Sequence, residues 1–231
     1  MKLSIIIPVY NEERTILPII KRVKEVNLPD QIQKEIIIVD DGSTDQTAAQ
    51  LKNLSSADNL KILFLPENEG KAAAVRLGLK EASGDFILIQ DADLEYDPRC
   101  YPYLLEPLLE NQAAVVFGSR FKGKIKGMTT VVRWANVISN KTINLLYRCR
   151  LTDLQTCYKV FRSDIIKGIK IQSKNFTFDT EVTLKLLEQG HKIVEVPVNY
   201  TARTKKEGKK MNWLRALETY FFLVKYKFRA T

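Results

Sequence analysis

The sequence predicts an α/β fold, a mixed, mostly parallel central sheet flanked by helices, and three observations lead there. Short runs rich in Ile, Leu and Val, about five residues each as buried parallel strands require, alternate with segments whose apolar residues recur at helical spacing. The residues able to carry chemistry fall directly after those runs, at the strand ends where an open α/β sheet binds ligands. The chain of 231 residues, 45% hydrophobic and 27% charged, is long and apolar enough for one domain with a sizeable core. That composition excludes a disordered tail, a disulfide-scaffold peptide and a low-complexity chain.

The first half supplies the clearest rhythm. Strands are expected at Leu3–Ile7, Glu35–Val39, Lys61–Leu65 and Phe86–Ile89, with helices between them at Glu13–Val26, Thr44–Leu54 and Lys71–Ala82. Ser43 or Thr44 is the expected cap of the second helix, and Pro18 lies early enough in the first to be tolerated. A helix around Tyr101–Glu110 leads to a strand at Ala113–Phe117. After Gly118 the rhythm changes. A loop with Gly123 and Gly127 precedes a helix at Val131–Arg150, then a strand at Tyr158–Arg162, a helix at Asp179–Gln189 and a strand at Lys192–Val196. A basic loop, Thr201–Lys210, and an amphipathic helix, Asn212–Arg229, close the chain. The whole reads as a single domain, residues 1–231, with a first part (1–117) and a second part (118–231) of different character.

Charge separates those parts. Residues 1–111 carry 12 Lys+Arg against 19 Asp+Glu; residues 112–231 carry 24 against 8, and Gln112 to Thr152 contains no acid. Carboxylates in one part suit a metal, and cations in the other suit phosphates or an anionic surface. No uncharged stretch approaches the ~18 apolar residues of a membrane span. The start breaks at Pro8 and turns acidic, so it reads as a buried strand rather than a signal peptide. Cys100, Cys149 and Cys157 are odd in number and lack metal spacing, which points to a reducing, cytoplasmic compartment.

The strongest local motif is Gln90-Asp91-Ala92-Asp93 with Glu95, directly after Phe86–Ile89. Two carboxylates projecting from a strand end can reach one hard divalent cation, Mg²⁺ or Mn²⁺, and leave positions open for substrate phosphates. The same residues also suit an acidic turn before the next helix. In Val39-Asp40-Asp41-Gly42-Ser43-Thr44-Asp45, Gly42 permits a tight turn and Asp41 can accept from a ribose or base, though such a loop also serves as a plain helix cap. The first turn, Pro8-Val9-Tyr10-Asn11-Glu12, lacks the glycines of a dinucleotide fingerprint, and Gly70-Lys71 lacks the spacing of a phosphate-binding P-loop.

Taken in order, these motifs together with Asn68-Glu69-Gly70-Lys71 and Ala82-Ser83-Gly84-Asp85 resemble the inverting family-2 glycosyltransferases of GT-A fold. Gly118-Ser119-Arg120, Arg133-Trp134, Thr152-Asp153, Tyr158 to Arg162, and Arg203 before Glu207 to Lys210 extend the resemblance toward the polyprenyl-phosphate hexose synthases. The resemblance implies that Pro8, Tyr10 and Glu12 surround the base and ribose of a nucleotide sugar, with Val39 and Asp41 completing that pocket and Ala92 beside it. It implies a Mg²⁺ or Mn²⁺ ion on Asp91 and Asp93 under the diphosphate. Glu95 stands where many members have Gln, and a carboxylate there would tighten metal binding or change its selectivity. Arg120, Arg133, Arg203 and Lys209 would meet the donor diphosphate and the acceptor phosphate.

The implied reaction moves a hexose from GDP-mannose or a UDP-sugar to a polyprenyl or dolichyl phosphate, inverting the anomeric carbon, with Asp93, Arg120, Arg133 and Arg203 at the reacting groups. A phosphate acceptor is already ionised and needs no strong base, and the basic second part suits it; Asp153 is the spare carboxylate should a base be required. His191, next to Gly190, reads as a turn residue. The lipid tail demands approach to a membrane. Residues 203–229 hold nine Lys+Arg and two Glu, and Trp213, Leu214, Leu217, Tyr220, Phe221, Val224 and Phe228 can form one broad face, either lying among headgroups or packed on the sheet. The Val131–Arg150 helix, with Trp134, is a second candidate. The expected location is the cytoplasmic face of a membrane, peripherally bound, where a separate membrane-spanning partner would fit. A family-2 enzyme acting on a glycan or protein hydroxyl is the alternative. A sugar-nucleotide pyrophosphorylase lacks its Gly-rich loop here, and a basic nucleic-acid-binding module is opposed by the acidic first half.

Overall fold

The computed structural model describes residues 1–29, 32–54, 60–173, 177–204 and 213–229, with the side chains of 213–218 and 229 excepted. A seven-stranded sheet of order β3-β2-β1-β4-β7-β5-β8 forms its centre. Its strands are β1 (Lys2–Val9), β2 (Gln33–Asp40), β3 (Leu60–Phe64), β4 (Phe86–Ile89), β5 (Val115–Ser119), β7 (Lys159–Arg162) and β8 (Ile193–Pro197). A two-stranded sheet pairs β6 (Ile125–Lys126) with β9 (Tyr200–Thr201). β1, β2, β3 and β4 run parallel, as do β5 and β8, while β7 lies antiparallel between β4 and β5. The main sheet therefore draws strands from both parts of the chain.

Side-chain alternation along the strands explains the two layers of helices. From β1, Leu3, Ile5, Ile7 and Val9 enter one core with Leu88 of β4, α1 (Ile16–Glu25) and α4 (Tyr101–Leu109). Ile6 faces the other way, with Ile87 and Ile89, against α3 (Lys71–Glu81), α6 (Ser163–Gly168) and α7 (Phe178–Glu188). Each fully buried Ile or Leu contributes roughly 1.5–3 kcal/mol, so burial on both faces fixes the register of these strands. A third cluster joins Ile143 of α5 (Thr130–Tyr147), Leu184 of α7 and Leu223 of α8 (Trp213–Arg229).

The expected elements are present, with four differences, the first being α6, where no helix was expected. Ser43 and Thr44 do not cap the second helix. That helix, α2, spans Thr47–Lys52, while the Ser43 hydroxyl accepts from the Asn11 N–H (2.9 Å) and the Thr44 N–H donates to Asn11 Oδ1 (2.8 Å). Both hydroxyls and the Thr44 amide are thus drawn across to the loop after β1, while the Ser43 N–H donates to Asp40. Thr201, expected to open a loop, instead forms β9 with Tyr200, pairing with Lys126 and Ile125. α8 packs against α5 and α7: Leu223 is buried with Ile143 and Leu184, and Phe222, Val224 and Tyr226 pack beside it, leaving Phe221 and Phe228 exposed. Trp213, Leu214 and Leu217 belong to the side chains outside the described residues.

Candidate active site

The functional residues converge at the carboxyl ends of β1, β2 and β4. Three consecutive N–H groups after β1 are held from the loop after β2: Asn11 by Ser43 Oγ, Glu12 by Thr47 Oγ1 (2.9 Å) and Glu13 by Asp45 Oδ2 (3.2 Å). The sequence Asp41 to Thr47 is therefore a clamp on its neighbour. Gly42 is required within it, because its φ is +67° and an added Cβ would lie 2.5 Å from the Glu67 carbonyl carbon. Asp41 folds the next turn, accepting from the N–H groups of Glu69 and Gly70 (2.9 Å each) and from Asn68 Nδ2 (3.1 Å). Burial still pushes its carboxyl above the ordinary value, against those two N–H groups and with help from the Glu69 and Asp40 charges.

These loops wall a cleft of about 420 Å³ lined by Pro8, Tyr10, Glu12, Asp41, Asp91, Ala92, Asp93, Glu95, Arg120 and Arg203, among others. Ten of the expected site residues thus share one cavity. Three do not. Val39 is fully buried in the core on the α3 face and does not line the cleft, because its place in β2 turns it inward. Arg133 is exposed on the first turn of α5, away from the cleft lining. Lys209 lies outside the described residues.

The rim carboxylates are engaged by cations. Arg203 donates twice to Glu12 (2.7 and 3.2 Å) and once to Asp93 Oδ2 (3.1 Å). Asp91 meets Lys71 Nζ at 2.7 Å, and Lys71 also approaches Asp179 at 3.6 Å. The other oxygen of Asp179 accepts from the wholly buried Lys159 (2.9 Å), whose Nζ also donates to the Thr156 carbonyl. Burial opposes ionisation of Asp179, but the two lysines outweigh it and hold the carboxyl below the ordinary value. Gln90, fully buried, accepts from Tyr101 (2.6 Å) and Tyr158 (2.7 Å) and donates to the Asp91 carbonyl, so the backbone of the Asp-X-Asp turn is anchored from below. Lys71, Asp179, Lys159 and Gln90 were not among the expected site residues. Lys71, beside Gly70 at the head of a helix, Gln90, next to the Asp-X-Asp pair, and Lys159, within Tyr158 to Arg162, lay in motifs of the sequence, whereas Asp179 carried no such signal.

Arg120 is drawn into a buried pair. Its backbone N and Nε donate to Asp153 Oδ2 (2.8 Å each), and Nη2 donates to Oδ1 (2.7 Å) and to Asn136 Oδ1 (3.1 Å). Its guanidinium also lies over the Tyr200 ring, 5.2 Å from the centroid. Asp153 is thereby committed to Arg120 rather than spare.

Asp91 and Asp93 fit a hard divalent cation. They offer oxygen donors at a strand end, and burial, followed by the Asp91 and Glu95 charges, pushes Asp93 up to about 7 despite Arg203. Such a site holds more negative charge than its surroundings offset. Mg²⁺ typically needs only one or two carboxylates plus substrate phosphates. Glu95 fits less well, since its oxygens accept from the Tyr200 hydroxyl and the Arg203 N–H (2.7 Å each). Among the described residues, no group of three or more His, Cys, Asp or Glu is arranged to hold a metal.

Comparison with known proteins agrees with this architecture. The profile of Glycosyl transferase family 2 matches residues 4–169, and the chain belongs to that family: it is a glycosyltransferase domain. It is 31% identical over 217 residues to a dolichol-phosphate mannosyltransferase of Pyrococcus furiosus, covering 90% of this chain and 59% of that protein. It is 29% identical to a dodecaprenyl-phosphate galacturonate synthase of Rhizobium johnstonii, covering 77% of this chain and 53% of that one. The chain thus spans little more than half the length of these relatives. The glucosyl-3-phosphoglycerate synthase of Mycobacterium tuberculosis, solved with Mn²⁺ and UDP-glucose, superposes with a TM-score of 0.75 at 16% identity, over 98% of this chain and 78% of that one. That likeness establishes the shared GT-A fold.

Proposed function

We propose that the chain is a metal-dependent, inverting glycosyltransferase that moves a hexose from a nucleotide sugar, GDP-mannose or a UDP-sugar, to a polyprenyl phosphate at a membrane surface. The acceptor class rests on the state of the carboxylates. Glu12, Asp41, Asp91, Asp93, Glu95 and Asp179 line the cleft, and each already faces a cation or an N–H or O–H donor. A hydroxyl acceptor needs a general base, whereas a phosphate monoester arrives with its oxygen ionised. The names of the two relatives, both of which refer to lipid phosphates, support the same acceptor.

In this reading Pro8, Tyr10 and Glu12 receive the nucleoside, and Asp91 and Asp93 hold Mg²⁺ or Mn²⁺. The ion would supply charge neutralisation for the departing diphosphate. Lys71 and Arg203 stand on the same rim as the chain's own cations, while Arg120 lines the same cleft with its charge paired to Asp153. Each such contact is worth ~2–4 kcal/mol in a transition state of this kind. The lipid tail would lie toward α5 and α8. Val131, Trp134, Ile138 and Leu145 are exposed at helical spacing on α5, beside the exposed Arg133 and Lys141, and Phe221 and Phe228 are exposed on α8. Apolar residues among cations, in a segment with no acid from Gln112 to Thr152, suit an anionic membrane surface. Among the described residues no helix is long and apolar enough to cross a membrane.

One observation favours a second reading: a carboxyl near 7, as at Asp93, is also suited to a base, which would serve transfer to a glycan or protein hydroxyl. A panel of nucleotide sugars assayed with Mn²⁺ against a short polyprenyl phosphate and against sugar and peptide acceptors separates the two. Lipid-linked product from at least one donor is expected. Product on hydroxyl acceptors alone would overturn the proposal.

A further inference from the structure

One guanidinium holds two residues with different tasks. Arg203 grips Glu12, on the nucleoside side of the cleft, with two hydrogen bonds, and reaches Asp93, on the metal side, with a third. The strand before it is stitched to one residue: Glu95 accepts from the Tyr200 hydroxyl and the Arg203 N–H through its side chain, and from the Thr201 N–H (2.9 Å) through its carbonyl. The position of Arg203 is therefore built in. One further donor is buried and not used: Nε has no hydrogen-bond partner among the described residues. A guanidinium with a buried orphan donor fits two arrangements, this one and another in which an incoming oxyanion supplies the missing acceptor.

We propose that Arg203 is an internal counter-ion of the donor site, standing in for the divalent cation at Asp93 until the nucleotide sugar and its metal displace it. The inference rests on the reading that Asp91 and Asp93 hold the metal. Two positive charges cannot share Asp93 cheaply, so cation entry must weaken the Arg203 contact, and nucleoside contact with Glu12 must weaken the other two. Each ligand thereby lowers the cost of admitting its partner, a positive coupling carried by one side chain. The released arginine, still tethered through Glu95, then becomes available to phosphate oxygens. The empty site thus keeps one positive charge beside Asp93, and that phosphate-binding cation is freed only when the donor arrives.

The test is Mn²⁺ binding to the whole chain without nucleotide, followed by loss of the free-ion signal in electron paramagnetic resonance. Arg203→Gln removes the competing charge and should bind Mn²⁺ about tenfold or more tightly than the unsubstituted protein. Arg203→Lys keeps a cation beside Asp93 and should stay within about threefold of it. Asp93→Asn should lose binding in either background. Equal affinity in the unsubstituted protein and Arg203→Gln, with Asp93→Asn still losing the ion, would overturn the counter-ion and leave the metal site standing. Equal affinity in all three, Asp93→Asn included, would overturn both. Arg203→Lys as tight as Arg203→Gln would also overturn it, because the effect would then follow shape rather than charge.

Discussion

Removing Asp153 tests whether Arg120 is first a structural cation. Asp153 is fully buried, and the Arg120 side chain is 5% exposed. Burial works against the guanidinium's charge, and the Asp153 carboxylate outweighs it, so Arg120 stays protonated. Asp153→Ala deletes three charge-assisted hydrogen bonds of 2.7–2.8 Å and leaves the cation with Asn136 and the Tyr200 ring. Stranding one member of such a buried pair costs about 3–5 kcal/mol. In a domain of this size each kcal/mol lowers Tm by about 2–4 °C, so the variant should melt roughly 6–20 °C lower. The double variant Arg120→Met with Asp153→Leu removes both charges at similar volume and should recover all but the roughly 1–3 kcal/mol of the buried Arg120 backbone N–H left without its acceptor. Urea denaturation gives both numbers. A single variant within about 1 kcal/mol of the unsubstituted protein, or a double variant no better than the single, would refute the reasoning.

Three further outcomes follow from other parts of the molecule. Burial raises the Glu181 carboxyl, but hydrogen bonds from Lys185, Ser173 and Gln172 outweigh it and hold the group below its ordinary value. A depressed carboxylate stabilises the fold above its unfolded value and loses that contribution as pH falls through the folded one. Glu181→Gln should therefore cost about 1–3 kcal/mol at pH 7 and progressively less below about pH 4.5 in denaturation curves; a penalty independent of pH would contradict this. Asp93→Ala should abolish transfer at saturating donor and acceptor, whereas an unimpaired variant in the same assay would remove the metal site. Trp134→Glu should weaken flotation with anionic vesicles, with the unsubstituted protein bound more firmly at low salt than at high; absence of binding at either salt would count against the membrane surface.

Local patterns made the frame of this fold legible. Unbroken burial along β1 and β4 follows from apolar runs that face helices on both sides, and Phe86–Ile89 was located to the residue. The Asp-X-Asp turn was visible because its chemistry sits in adjacent residues. What escaped was set by long-range pairing. β6 and β9 are two residues each, too short to show a period, and exist because distant segments meet. The basic stretch that begins at Arg203 spoke only of phosphates; its first residue closes on Glu12, 191 positions away, and on Asp93, 110 away. Lys159 opens β7 beside apolar residues and is buried because Asp179 of α7 meets it. Composition identified the cations but not their partners, and the partners decide which cations remain for substrate.

Crystals soaked with Mn²⁺ and a nucleoside diphosphate, with data collected at the manganese edge, test the central claim most directly. The account predicts an anomalous peak about 2 Å from carboxylate oxygens of Asp91 and Asp93, bridged to the diphosphate, with Arg203 withdrawn from Asp93. A nucleotide bound with no peak at that rim would contradict it.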